Sequence, residues 1–247
     1  GTVAAAGAAA EGLDAGATTN LFAAAGGADE ETLDAARRRA ALSLRARERA
    51  VTLDDFELLA RLSGGVARAK ALALAHPQYP GVAVPGAITV IVVPGRRGTD
   101  LPPLGHAPPL PSDALLRTVC EALDARRLLT TEVFVVAPTY VPLALQATVL
   151  VTDDADTAAV QQAVEATLQR YVDPLLGGDD GQGWPFGGAL RYAKLVQKLF
   201  TVPGVDSVPG LVVTADETER AACTDVLLED IAPNALWQLQ SLSVFEA

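Results

Sequence analysis

The sequence predicts an α+β protein, and three observations carry that prediction. Runs that are apolar at every third or fourth position alternate with runs that are apolar at every second one. A single proline- and glycine-rich stretch, Pro94–Pro111, interrupts them and sustains neither helix nor ladder. Half of the 247 residues are apolar, enough to bury one sizeable core or two modest ones.

Taken in order, the chain opens with an Ala/Gly-rich stretch, Gly1–Gly27, that has no basic start and no sustained hydrophobic block. It reads as an extended segment rather than a signal peptide. The chain has no methionine, even at position 1, and so reads as the ordered C-terminal part of a longer protein. Asp29 caps a helix to about Leu44, with Glu30 and Glu31 at its positive end and arginines toward its negative end. Leu33, Ala36 and Ala40 give it only a narrow apolar stripe, so this arginine helix is expected to lean on a partner, with Arg37, Arg38, Arg45 and Arg49 as interface candidates. Residues 1–48 form this first region.

Residues 49–94 read as a small α/β unit. Thr52 and Asp55 make an Asp version of the capping box, and Phe56, Leu59 and Ala60 repeat at helical spacing to Leu62. Two β-like stretches follow, Val66–Ala75 and Ala87–Val93, separated by the turn-rich His76–Gly86. Ser112 then caps a helix whose Leu115, Leu116, Val119, Cys120 and Leu123 share a face. Thr131–Ala137 is a short strand and Tyr140–Thr152 a long one. Asp153, Asp154 and Asp156 open a helix that turns Val160, Val164, Leu168 and Val172 to the core. A Gly-rich loop, Leu176–Gly187, leads to a helix over Ala189–Phe200 and a strand around Val205–Val213. The order over residues 112–214 matches a ferredoxin-like split βαβ domain. Residues 215–247 form a tail with an acidic stretch and alternating Leu239, Ser241, Ser243 and Phe245, a possible terminal strand.

The net charge of −11 and pI near 4.6 argue against a general affinity for nucleic acid or anionic membrane. No stretch approaches the ~20 continuous apolar residues of a membrane-spanning helix, so no membrane insertion is expected. Cys120 and Cys223 read as buried thiols, with a lean to the cytoplasm. His76 and His106 sit in proline-rich loops with no nucleophile motif or second ligand at metal spacing. Asp153, Asp154 and Asp156 are explained by helix N-terminal charge, and the loop Gly177–Gly183 lacks the glutamate of a calcium loop. No convergent catalytic set emerges, so no enzyme, cofactor or metal is expected.

The tract Gly183-Trp184-Pro185-Phe186-Gly187 is the most informative feature of the chain. Two rings give a large rigid apolar area and the proline fixes the backbone, which suits a docking knob. Trp184, Pro185 and Phe186 are therefore interface candidates. Closing the core of their own domain is the other reading of the same rings, and both stay open. A rival functional reading, a small-molecule-binding or catalytic domain on a ferredoxin-like scaffold, would use Asp179, Asp180 and Lys194 near Trp184.

Several tracts, in order along the chain, resemble the baseplate J-like family of contractile phage tails and contractile injection systems. They are Asn20–Thr32, in which the family's prolines are replaced, the arginine-rich stretch with Arg49-Ala50-Val51-Thr52 and the acidic-aromatic helix to Ala60, and Val66–Ala71. Pro111-Ser112, Arg126-Arg127-Leu128-Leu129-Thr130, Pro138-Thr139-Tyr140-Val141, Pro174-Leu175 and Gly183–Gly187 follow. The resemblance implies a structural wedge subunit that links neighbouring baseplate proteins around the tube and ties them to the sheath. Its partners would be other wedge subunits and sheath- and tube-associated proteins in a six-fold assembly, made in the cytoplasm or carried in a virion or released particle. The resemblance brings no catalytic residue and no cofactor.

Overall fold

The computed structural model of the chain describes residues 32–34, 36–37, 40, 49–96, 101–220 and 233–246. The chain divides into two compact units, Gly1–Arg45 and Ala46–Ala247. In the first, Leu33, Asp34, Ala36, Arg37 and Ala40 have helical backbone, within the helix expected over Asp29–Leu44. Arg37 Nη1 pairs with Asp34 Oδ1 at 3.7 Å, both side chains exposed. The remainder of that expected helix lies outside the described residues.

The second unit begins with α1 (Leu53–Leu62), whose capping box is formed on both sides. The Asp55 N–H donates to Thr52 Oγ1 at 3.3 Å, and the Thr52 N–H donates to Asp55 Oδ2 at 2.8 Å. Two of the helix's orphan donors are thereby satisfied, and Phe56, Leu59 and Ala60 turn inward. Strands β1 (Val66–Ala73) and β2 (Ala87–Pro94) pair antiparallel. The run Ile88-Thr89-Val90-Ile91-Val92-Val93 is buried almost throughout, as in a strand covered on both faces. Val90 and Val92 join one core with Phe56, Val119 and Leu123, while Val93 joins a second.

Helix α2 (Asp113–Asp124) is capped by Ser112, whose Oγ accepts from Leu115 N at 3.3 Å. It returns the chain to β3 (Glu132–Val136), which runs parallel to β2. The first sheet therefore has the order β1-β2-β3. The second has the order β6-β5-β4-β7, from β4 (Thr139–Val151), β5 (Val205–Ala215), β6 (Thr218–Arg220) and β7 (Ala235–Glu246). Helices α3 (Thr157–Val172), capped by Asp156, and α4 (Tyr192–Leu199) bury Val160, Val164, Leu168, Leu195 and Leu199 in its core. The larger core lies there, with Trp237 wholly buried among Val141, Leu143 and Leu145.

The α+β class is as expected, but the strand order is not that of a ferredoxin-like domain over 112–214. Helix α2 and strand β3 belong to the first sheet, and only β4 and β5 of that stretch share the second. The physical reason lies in β2. Its near-continuous apolar run marks a strand covered on both faces at the centre of a sheet, and its parallel partner β3 requires a crossover, which α2 provides. The two residues Ala137-Pro138 then carry the chain from one sheet to the other instead of turning a hairpin. The terminal strand is longer than the alternation at Leu239–Phe245 indicated. It starts at Ala235 and runs parallel to β4.

Candidate docking cleft

Helix α3 ends at Val172 and is closed by Asp173, in extended conformation and followed by a proline that cannot continue the helix. Asp173 is 6% exposed and its carboxylate is fully employed. Its Oδ1 accepts from Leu175 N and Leu176 N, both at 2.8 Å, and its Oδ2 accepts from Arg96 Nη1 at 3.1 Å. Around it the loop folds back on itself, with Trp184 N donating to Asp173 O at 3.1 Å and Gly183 N to Gly177 O at 2.9 Å. The glycines are required by proximity. A Cβ on Gly177 would strike the backbone of Tyr171 and Asp173, and one on Gly183, at φ +92°, would strike Pro174 O and the Arg68 guanidinium.

Arg68 joins this loop to the first sheet. From β1 its Nη1 donates to Pro174 O and, at 2.7 Å, to Trp184 O, and its guanidinium lies over the Phe186 ring at 4.8 Å. Burial lowers its pKa from the ordinary arginine value, opposed by the field of Tyr140 and Asp173. Trp184 is 3% exposed. Its indole N–H donates to Gly188 O at 3.2 Å, and it meets Tyr171 edge-on at 5.3 Å. The tryptophan thus fills its own chain's core, while Pro185 is exposed and Phe186 half-buried.

Pro185 and Phe186 form one wall of a cleft of about 400 Å³. Glu57 and Arg61 of α1 form the other, and β1 from Ala67 to Lys70 forms the floor. Glu57 Oε1 accepts from Ala71 N at 3.1 Å and from Lys70 Nζ at 3.2 Å. A second cavity, about 380 Å³, lies between the Pro102–Leu110 segment, α3 and β7, with Arg96 and Trp237 in its lining. Arg96 Nε and Nη2 and Trp237 Nε1 are buried without a partner. A third, about 260 Å³, is lined by Tyr171, Asp179, Trp184 and Lys194.

Of the other expected site residues, Arg49 is exposed and Arg37 lies exposed in the first unit. Arg38 and Arg45 fall outside the described residues. Asp179 meets Lys194 at 3.6 Å and Lys198 at 3.9 Å and accepts from Tyr171 Oη at 3.4 Å, whereas Asp180 is exposed. His76 stacks against Tyr79 and Phe134, and Cys120 is half-buried with its sulfur free. Among the described residues no group of three acidic, histidine or cysteine side chains is placed to hold a metal, and no helix is long and apolar enough to cross a membrane. Sequence reasoning missed Arg68, Asp173 and Arg96. Two signals pointed to the first two: a lone arginine between alanines in a strand, and an aspartate directly before a proline at a helix end.

No known protein family and no curated protein matches the sequence. The fold matches a chain of the 6-fold symmetrised baseplate of the anti-feeding prophage (AFP), determined by cryo-electron microscopy, with TM-score 0.56 and 19% identity. The match covers 86% of this chain and 42% of that one, so this chain spans less than half the length of that baseplate protein.

Proposed function

We propose that this chain is a structural wedge subunit of the baseplate of a contractile injection system or phage tail. It would link neighbouring baseplate proteins around the tube as part of a six-fold assembly. The observation that carries this reading is the fold shared over 86% of the chain with an AFP baseplate protein. The tracts from Asn20 to Gly187 that resemble, in order, those of the baseplate J-like family also support it. Its partners in this reading are other wedge subunits and sheath- and tube-associated proteins, and its place is a phage-like particle. The work is assembly rather than catalysis. Around Trp184, Asp179 pairs with Lys194 and Lys198, and Asp173 pairs with Arg96.

The test is purification of the untruncated protein from its native source without overexpression, followed by electron microscopy of what accompanies it. Six-fold plates or sheathed tubes containing the chain are expected. A lone species in stoichiometric complex with a metabolite would overturn the proposal.

A further inference from the structure

The geometry points to the free edge of β1 as the docking site for an extended segment of a neighbouring baseplate protein, one that alternates acidic and apolar residues. This rests on the assembly reading above and names the chemistry of one partner contact.

Among the described residues, strand β1 is the outermost strand of its sheet and pairs only with β2. In an antiparallel pair the N–H and C=O of alternate residues point away from the partner strand. Ala71 shows which residues those are in β1, because its N–H donates outward to Glu57. The register is unbroken from Arg68 to Ala73, so Ala69 also presents its N–H and C=O outward, onto the floor of the 400 Å³ cleft. An edge of this kind, taken at the Ala71 N–H by Glu57 but open at the half-buried Ala69, is a template for an added strand.

The walls specify what that strand carries. Side chains of an added strand alternate between the two faces of the sheet. Ala69 and Ala71 pack on the α1 side, and on that side Arg61, in the last turn of α1, is exposed and carries no ion pair among the described residues. The Arg68 side chain leaves by the opposite face, where Phe186 and the exposed Pro185 offer apolar surface. Residues of the incoming strand on the first face therefore meet a cation, and those on the second meet an apolar wall. Glu57 is already held by Lys70 and Ala71, and Arg68 is turned to the carbonyls of Pro174 and Trp184 beneath Phe186, which leaves Arg61 as the exposed cation of the cleft without a carboxylate partner among the described residues.

Two measurements on the full chain test this. In the first, amide hydrogen exchange is followed with the capped peptide Glu-Val-Glu-Val-Glu-Val and with its counterpart Lys-Val-Lys-Val-Lys-Val. The acidic peptide is expected to slow exchange at Ala69 at least several-fold, the basic one to leave it unchanged, and Arg61→Glu to reverse the preference. Equal protection by both peptides, or none by either, would overturn the inference. Ala69→Pro removes that amide itself, at an edge position where proline is tolerated, so its effect is read instead from binding of the fluorescently labelled acidic peptide, which should weaken at least several-fold. Arg61→Glu, on an exposed side chain, decides the matter if that variant fails to fold. In the second, exchange is measured in assembled particles. Slow exchange at Ala69 there supports the inference. A chain that incorporates but keeps Ala69 fast overturns the inference alone, and a chain that never incorporates overturns the assembly reading while the peptide result still decides the edge.

Discussion

Trp184 illustrates how burial redirects the meaning of a residue. In sequence it offered either a docking knob or a core plug, and in the folded chain it packs against Tyr171 with its indole N–H already bonded. Trp184→Ala is therefore expected to cost about 3–5 kcal/mol of stability in the isolated chain, read from urea or guanidinium unfolding. A loss below about 1 kcal/mol would mean that the ring does not support the core. Asp173 has the smaller side chain and as large an expected effect. Its carboxylate answers two backbone donors and Arg96 while 6% exposed, so Asp173→Ala strands a buried guanidinium and two N–H groups. Removing one partner of a buried pair typically costs about 3–5 kcal/mol, and the same unfolding measurement checks it. Asp173→Asn keeps one acceptor oxygen for Leu175 and Leu176 and should recover part of the loss.

At the scale of elements, what was legible follows from how local each signal is. The capping box at Thr52 and Asp55, the Ser112 cap and the Val160–Val172 stripe depend on residues within a turn or two, and each element formed where its signal stood. The alternation from Val141 to Val151 likewise gave the long strand β4. Strand pairing is not local. Nothing within Glu132–Val136 states that it lies beside β2 rather than β4, because its own burial is intermediate along most of its length. The candidate site was half legible for the same reason. Pro185 and Phe186 were found by composition, but the cleft they wall needs α1 and β1, more than a hundred residues away in sequence. The Gly177–Gly183 loop carries its own test. Gly183→Ala places a methyl against Pro174 O and Arg68, so it should destabilise by about 1–3 kcal/mol, whereas Gly181→Ala, with more room around it, should cost less. Equal costs at the two positions would show that the close approach at Gly183 does not matter.

At the scale of the whole second unit, Arg68 and Arg96 join its two sheets through polar contacts with the segment from Asp173 to Phe186. Two tyrosines border this seam, and both make the unit sensitive to alkali. Tyr140 donates to Pro109 O at 3.0 Å, and burial first, then the Asp173 carboxylate, pushes its pKa well above the ordinary range. Tyr171 is pushed up to about 12 by burial, then by the charge of Asp179 and the hydrogen bond to it. In the unfolded chain both phenols ionise near pH ~10. Above that pH the unfolded state has lost protons that the folded state still holds, so stability must fall as pH rises. The contribution is fully present below pH ~10 and is lost as pH rises through the folded value of Tyr171 near 12, with Tyr140 extending the loss further. Urea midpoints should therefore be flat with respect to these groups up to about pH 9.5 and decline beyond it. Tyr171→Phe and Tyr140→Phe should each lower the neutral-pH stability by the value of one hydrogen bond, about 1 kcal/mol, and each should flatten the alkaline decline. Lysine deprotonation is common to all three proteins, so the difference in slope isolates the phenols. Identical slopes in the parent and both variants would mean that the seam does not hold these hydroxyls in their protonated form.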